Sequence, residues 1–315
     1  MNTEKISKTP IFNLNYNTNN IYVKREDFIP ISFGGNKARK AVYFFNEIDN
    51  GNYDCVVTYG SSSSNHCRII ANMCVMRGLK CFIISPKEIF KKTFNSELMD
   101  FFGADIEVVP IDEVHDTIEN KIHTLKKHGK NPYFIQGGGH GNLGTQAYVD
   151  CYKEIIDFEK QNNIIFDYIF HASGTGTTQA GLICGHLINK DLKKIIGISI
   201  ARSNPRGRNI IFDSIKDYFI EKNIKFSDSE IDNELIFDDS YICDGYASKN
   251  EKLNNFINKC LIEYSLPLDP IYTGKAFFGM NEYILKNKIK NKNILFIHTG
   301  GGPLFFDYLK GFDND

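Results

Sequence analysis

The chain has 315 residues and a mass of 36.0 kDa, room for about two domains with a substantial core. Its 37 Lys and Arg residues balance 38 Asp and Glu, so a net charge of -1 excludes a general attraction to nucleic acid, acidic polymers or membrane surfaces and favours a small partner. Hydrophobic residues at 42% and charged residues at 24% exclude disorder.

In chain order, the N-terminal Met1-Asn2-Thr3-Glu4-Lys5 lacks the apolar stretch of a signal peptide. No run approaches the ~18 apolar residues of a membrane span. A soluble cytoplasmic protein is expected. From Asp54 onward, short β-branched or aromatic runs alternate with longer helical patterns, the signature of βα units and a parallel sheet. Strands are expected at 54–59, 80–84, 105–109, 132–136, 165–171, 194–199 and 293–298. The stretch from Asn65 to Arg77 carries Ile69, Ile70, Met73, Cys74 and Met76 at helical spacing and stops at Gly78. Further helices are expected at 87–102, 112–129, 143–162, 178–190, 206–222, 249–264 and 274–289. Four βα units in a row within 51–150 suggest a small inserted domain closing over a larger one made of 1–50 and 151–315. A cleft between them is a favoured ligand site. The eight cysteines form no C-x-x-C pair, so buried reduced thiols are expected rather than a metal or redox site.

Several loops have the composition of anion sites. Ser173-Gly174-Thr175-Gly176-Thr177-Thr178 follows a strand and opens a helix, where backbone N–H groups and hydroxyls form a phosphate cradle. It is not a Walker loop, since no Lys follows, nor the dinucleotide fingerprint, since Gln179 stands at the third glycine position. Gly139-His140-Gly141-Asn142-Leu143-Gly144 has the literal G-x-G-x-x-G form but lacks the acid about 20 residues onward, and reads as a loop lining the cleft. Gly60-Ser61-Ser62-Ser63-Ser64-Asn65-His66 again joins strand to helix and suits a carboxylate, although one serine would suffice as an N-cap. Gly34-Gly35-Asn36-Lys37-Ala38-Arg39-Lys40 sets two lysines one helical turn apart. A lysine beside a second cation loses its proton more readily and attacks an aldehyde better. Joined to a phosphate cradle, that pattern points to a phosphorylated aldehyde held as a Schiff base, pyridoxal 5'-phosphate.

Together with Val23-Lys24-Arg25-Glu26-Asp27, Thr58-x-Gly60, Asp269-Pro270-x-Tyr272-Thr273-Gly274-Lys275 and His298-Thr299-Gly300-Gly301, these segments occur in an order that resembles the family of 1-aminocyclopropane-1-carboxylate deaminase and D-cysteine desulfhydrase. The resemblance covers nearly the whole chain. It implies an α/β fold of two domains with open, twisted, largely parallel sheets flanked by helices, tryptophan synthase β-like, of pyridoxal-phosphate fold type II, and a homodimer. It implies that Lys37 forms the Schiff base and then serves as base at Cα, with Lys40 close to the cofactor and Asn65 on its ring. Gly174, Thr175, Gly176, Thr177 and Thr178 would hold the phosphate, and Thr299 with Gly300 would face the pyridine nitrogen. Ser63, Ser64, Asn65, His66 and His140 would face the substrate, with Ser64, Tyr246 and Tyr272 near the carbon that reacts. No metal is implied.

Two positions choose within the family. The cyclopropane deaminases carry glutamate where this chain has Thr273, and Thr299 follows the desulfhydrase branch. The resemblance therefore implies β-elimination from D-cysteine or a similar β-substituted amino acid, giving pyruvate, ammonia and sulfide or another leaving group; the alternative is ring opening of the cyclopropane amino acid to 2-oxobutanoate. Ser63 stands where the desulfhydrases usually have glutamine, and His140 where a small polar residue is usual. Both fall beside the expected substrate side chain, which extends the class to relatives such as cysteate.

Overall fold

The computed structural model describes residues 6–14, 19–87, 92–241 and 251–311. Its strands are β1 (Ile11–Asn13), β2 (Asn20–Arg25), β3 (Cys55–Tyr59), β4 (Lys80–Pro86), β5 (Asp105–Val109), β6 (Pro132–Ile135), β7 (Tyr168–Ser173), β8 (Lys194–Ser199), β9 (Ile236–Asp238) and β10 (Asn293–His298). Its helices are α1 (Asn36–Asn50), α2 (Asn65–Val75), α3 (Phe94–Phe101), α4 (Val114–Lys127), α5 (Asn142–Asn162), α6 (Thr177–Asn189), α7 (Arg206–Glu221), α8 (Asp228–Glu234), α9 (Glu251–Tyr264), α10 (Thr273–Lys286) and α11 (Gly302–Lys310). No described helix is long and apolar enough to cross a membrane.

Two sheets result. The larger has the order β1-β2-β10-β7-β8-β9, parallel except for the β1–β2 pair, and the smaller, β5-β4-β3-β6, is parallel throughout. Side chains alternate between the faces of the larger sheet. Ile169, Ile195, Leu295 and Ile297 pack with α5, α6 and α7, whereas Phe170, Ile196, Ile198, Ile294 and Phe296 pack with α9 and α10. Both faces are thus covered, which is why these strands read as continuous apolar runs. Each fully buried Ile or Phe adds about 1.5–3 kcal/mol to the fold. The smaller sheet has its own core, in which Val56, Ile83 and Ile135 meet Ile69, Ile70 and Met73 of α2 and Ala38, Ala41, Val42, Phe45 and Ile48 of α1. Cys67 and Cys74 lie in that core as free thiols.

The α/β architecture with largely parallel sheets is the one expected, and β5, β8 and β10 have the expected bounds. β7 starts at Tyr168 rather than 165, because pairing with β10 begins there and the Asp167 carboxylate instead accepts from the Asn293 N–H at 2.9 Å and from Lys292 Nζ at 2.7 Å. The helix expected over 87–102 is shorter: Thr93 and Ser96 form a capping box that starts α3 at Phe94. The elements β1, β2, α1, β9, α8 and α11 were not assigned from the sequence. In β2 and α1 the cause is buried charge. Lys24 and Glu26 are 0% exposed and Arg39 is 2% exposed. Arg39 pairs with Glu26 at 2.5 Å and with Glu154 of α5 at 2.8 Å, and Lys24 pairs with Glu154 at 2.6 Å. A pattern that treats charge as exposed misses such elements.

Candidate active site

In an open parallel sheet, ligands gather at the carboxyl ends of the strands. The loops after β3, β6, β7 and β8 converge there with the start of α1 on a cavity of about 410 Å³, within the ~300–1,000 Å³ range of cofactor pockets. Its lining includes Lys37, Tyr59, Ser64, Asn65, His66, Gln136, Gly138, His140, Gly174, Thr175, Arg202 and Tyr272.

The start of α1 is fixed by close backbone approach. Gly35 has φ +100°, and a Cβ there would lie 2.6 Å from the Thr299 carbonyl oxygen, so only glycine lets the two loops meet. The Asn36 N–H donates to the same Thr299 oxygen at 3.0 Å. From this anchored turn Lys37 projects into the cavity, and its Nζ donates to the Gly138 carbonyl at 3.0 Å. Burial, followed by the positive charge of Arg202, pushes the Lys37 ammonium down to about 8. Lys40 is buried behind it, outside the cavity lining, with Nζ 3.5 Å from the same carbonyl and 5.8 Å from the centre of the Tyr148 ring. Burial and the Lys37 charge drive the Lys40 ammonium well below its usual value.

Two helix N-termini point at the cavity. Ser64 caps α2, its Oγ accepting from the Cys67 N–H at 3.2 Å, which leaves the N–H groups of Asn65 and His66 without helical partners. The Asn65 amide oxygen is held by Asn95 Nδ2 at 2.9 Å. His66 Nε2 lies 2.9 Å from Thr58 Oγ1, and burial keeps the ring neutral. Ser63 lines no part of the cavity; its carbonyl accepts from Asn95 Nδ2 at 2.8 Å.

At α6 the cradle is mostly backbone. Gly174 and Thr175 line the cavity, and the N–H groups of Thr177, Thr178 and Gln179 fall in the unsatisfied first turn. Two of the hydroxyls expected to add to it have protein partners. Thr177 Oγ1 lies 3.0 Å from His140 Nδ1, and Thr178 Oγ1 accepts from Asn36 Nδ2 at 3.1 Å. Gly176 is the left-handed N-cap of α6 and lies outside the lining.

Tyr272 reaches the cavity from a loop organised by Asp269, whose Oδ1 accepts from the Tyr272 N–H at 2.7 Å and whose Oδ2 accepts from the Thr273 hydroxyl at 2.6 Å. The Thr273 hydroxyl also accepts from the Asp269 N–H at 2.9 Å, so it is fully engaged away from the cavity. Thr299 and Gly300 are buried behind the Gly35 turn. Tyr246 lies outside the described residues.

Sequence reasoning missed Tyr59, Gln136 and Arg202. No motif marks them, although each sits at or just beyond the end of an expected strand. The cavity fits pyridoxal phosphate: one partly neutral lysine stands in it, backbone N–H groups at α6 suit the phosphate, and α2 offers a second anion seat.

The comparisons agree. A family model described as "Pyridoxal-phosphate dependent enzyme" matches residues 3–300. A D-cysteine desulfhydrase of Yersinia enterocolitica is 30% identical over 91% of this chain and 88% of its own length, and one of Serratia proteamaculans is 29% identical over 96% and 94%. A solved structure of an "ACC deaminase homologue" superposes with a TM-score of 0.87 at 28% identity, over 97% of this chain and 93% of the other. A hydrogen sulfide-producing enzyme of Fusobacterium nucleatum, 18% identical with a TM-score of 0.64 over 94% and 96%, shares the fold. The lysine-bearing cavity, its two anion seats and the match over nearly the full length lead to one conclusion: the chain belongs to the family of pyridoxal-phosphate dependent enzymes.

Proposed function

We infer that the chain is a β-eliminating lyase acting on D-cysteine or a similar β-substituted small amino acid. The observation that carries this reading is the placing of Lys37 Nζ, with its lowered proton affinity, in a cavity flanked by the starts of α2 and α6. Pyridoxal phosphate, when bound, supplies an aldehyde for the lysine amine and an electron sink for the pair left at Cα.

The chain's residues do the rest. The first-turn N–H groups of Thr177, Thr178 and Gln179, with Gly174 and Thr175 beside them, would hold the phosphate. Lys37 would hold the cofactor at its aldehyde, and its freed Nζ would take the proton from the substrate Cα. The N–H groups of Asn65 and His66 orient the substrate carboxylate, with Ser64 beside it. Tyr272, which lines the cavity, would give a proton to the leaving group on Cβ, and Tyr246 is assigned the same neighbourhood by resemblance. Overall, D-cysteine and water give hydrogen sulfide, pyruvate and ammonia. Thr273 supports elimination over ring opening: its hydroxyl is engaged with Asp269 and supplies no acid to the pyridine ring.

The second reading, 1-aminocyclopropane-1-carboxylate deamination, is favoured by the TM-score of 0.87 to the deaminase homologue. Incubating the purified enzyme with each substrate separates the two. Sulfide from D-cysteine without 2-oxobutanoate from the cyclopropane amino acid is expected; the reverse would replace the first reading.

The cleft suits a small domain closing over a large one; the expected bounds, 51–150 against 1–50 and 151–315, leave α1 with the large domain, whereas Ala38, Val42, Phe45 and Ile48 of α1 pack into the smaller sheet's core and join it to the small one. The buried free thiols suit a reducing cytoplasm. A homodimer follows the family resemblance, and sedimentation equilibrium tests it.

A further inference from the structure

A side chain outside the cavity decides which way Asn65 faces. Asn95 is the second residue of α3 and is 0% exposed. Its Nδ2 donates to the Ser63 carbonyl at 2.8 Å and to Asn65 Oδ1 at 2.9 Å. A backbone carbonyl can only accept, so the Asn95 amide cannot sit the other way round, and both of its N–H bonds are spent on the loop that opens α2. Asn65 must therefore meet Asn95 with its oxygen. Arg68 Nη2, which has only hydrogens to give, lies 3.4 Å from the same Oδ1 and requires the same orientation. The Asn65 NH2 group is left over, without a partner among the described residues, on a side chain that lines the cavity.

Asn95 Oδ1, by contrast, is buried and has no hydrogen-bond partner among the described residues. An amide that leaves its acceptor unused in a core is costly, and an apolar side chain of similar size would fill the space without that cost. Filling space does not account for Asn95; its two donors do. The turn that carries it is itself pinned. Thr93 Oγ1 donates to the Ser62 carbonyl at 3.0 Å, and the Phe94 N–H donates to Asp307 of α11 at 3.0 Å. The start of α3 thus grips Ser62, Ser63 and Asn65 with residues that line no part of the cavity.

We propose that Asn95 is a positioning residue: it turns the Asn65 amide so that the NH2 group, and not the oxygen, meets the cofactor ring. The inference rests on the placing of Asn65 at that ring, which the resemblance implies, and not on the choice of substrate. Pyridoxal carries a phenolic oxygen on its ring, which an NH2 group stabilises when ionised and an amide oxygen repels. The two ends of an asparagine amide have nearly the same size, so the shape of the cavity does not choose between them. The chain of hydrogen bonds from Ser63 through Asn95 to Asn65 does.

The test titrates cofactor-free protein with pyridoxal phosphate by absorbance, as wild type, Asn95→Asp, Asn95→Leu, Asn65→Ala and the double variant Asn65→Ala with Asn95→Asp. Asn65→Ala should weaken the cofactor at least fivefold. Asn95→Asp, which sets an acceptor of the same shape against Asn65 and draws its NH2 group away from the cavity, should weaken it at least as much and shift the visible band. Asn95→Leu, which leaves the amide unguided, should fall between Asn95→Asp and wild type. In the Asn65→Ala background, Asn95→Asp should cost no more than a further twofold, because the residue it acts through is gone. Losses that multiply in the double variant would mean that Asn95 acts through the fold at large and would overturn the proposal. Affinity within twofold of wild type in both single Asn95 variants, with Asn65→Ala impaired, overturns it while leaving Asn65 at the ring. No effect of Asn65→Ala removes Asn65 from the ring and the proposal with it, and leaves Lys37 and the elimination reading untouched. Should the Asn95 variants not fold, the wild type decides. With isotope-labelled asparagine, the Asn65 NH2 resonances, identified by their loss in Asn65→Ala, should exchange freely with solvent before cofactor is added and at least tenfold more slowly afterwards, while those of Asn95 are protected throughout. An Asn65 NH2 group protected before addition, or unprotected after it, overturns the proposal.

Discussion

Lys37 and Gly138 meet at 3.0 Å, the lysine Nζ donating to the glycine carbonyl from the first turn of α1 to the loop after β6. Gly138 has φ +75°, and a Cβ there would stand 2.5 Å from Thr175 Cγ2 and 3.1 Å from Lys37 Nζ. Gly138→Ala therefore strains the backbone and presses on both the lysine and the phosphate loop. The expected result is cofactor binding weakened by about tenfold or more, since left-handed strain alone costs on the order of 1–3 kcal/mol. Absorbance titration with pyridoxal phosphate checks this; unchanged affinity would show that the loop does not position the lysine.

The two lysines of α1 separate cleanly. Lys37 lines the cavity, whereas Lys40 is 1% exposed behind it. Lys37→Ala should abolish the visible absorption band of the bound cofactor, and Lys40→Met, which keeps the buried volume, should retain it. A band surviving in the first variant would refute the assignment of Lys37.

The lowered proton affinity of Lys37 predicts a pH profile. Only the neutral amine attacks the aldehyde. With the folded value near 8, the rate at which cofactor-free protein captures pyridoxal phosphate should rise about tenfold per pH unit below 8 and level off above it. Because Arg202 contributes to the lowering, Arg202→Gln should move the bend to higher pH. Stopped-flow absorbance between pH 6 and about 10 checks both; a rate still climbing in proportion at pH 10 would mean an ordinary lysine.

Acid stability should depend on Glu26. Arg39 and Lys24 hold its carboxyl at about 2 against burial, below the ordinary 4.5. A lowered carboxyl stabilises the fold above its unfolded value and loses that contribution as pH falls toward the folded value. About 3 kcal/mol should therefore disappear between pH 4.5 and 2. Glu26→Gln leaves Arg39 and Lys24 with Glu154 alone, and should cost about 3–5 kcal/mol at neutral pH while flattening the acid slope. Urea unfolding at a series of pH values measures both, and parallel pH curves for the two proteins would disprove the linkage.

The sequence made the strand ends visible more readily than the side chains that work on them. Runs such as Lys194–Ser199 and Asn293–His298 are buried on both faces and stand out without knowledge of their partners. β2 and α1 do not, because Lys24, Glu26, Arg39 and Glu154 are tolerated in the interior only as a set drawn from distant parts of the chain. The glycine-rich loops were legible as anion cradles, yet the partners of Thr177 and Thr178 come from His140 and Asn36, contacts that no spacing encodes. Arg202 illustrates the same limit. A single arginine after a strand carries no signal until the fold sets it in the wall of the cavity.

Helix α1 is gripped on two sides by different forces. Ala41, Val42, Phe45 and Ile48 fasten it to the smaller sheet by apolar packing, while Arg39 and Tyr43 fasten it to α5 through Glu154 and Asp150. The lysine that defines the site thus has two supports that fail under unlike conditions. Acid releases the ionic one and leaves the packed one, whereas truncating Phe45 or Ile48 does the reverse. Loss of cofactor by either route would therefore reveal, through its response to pH, which side of the helix had let go.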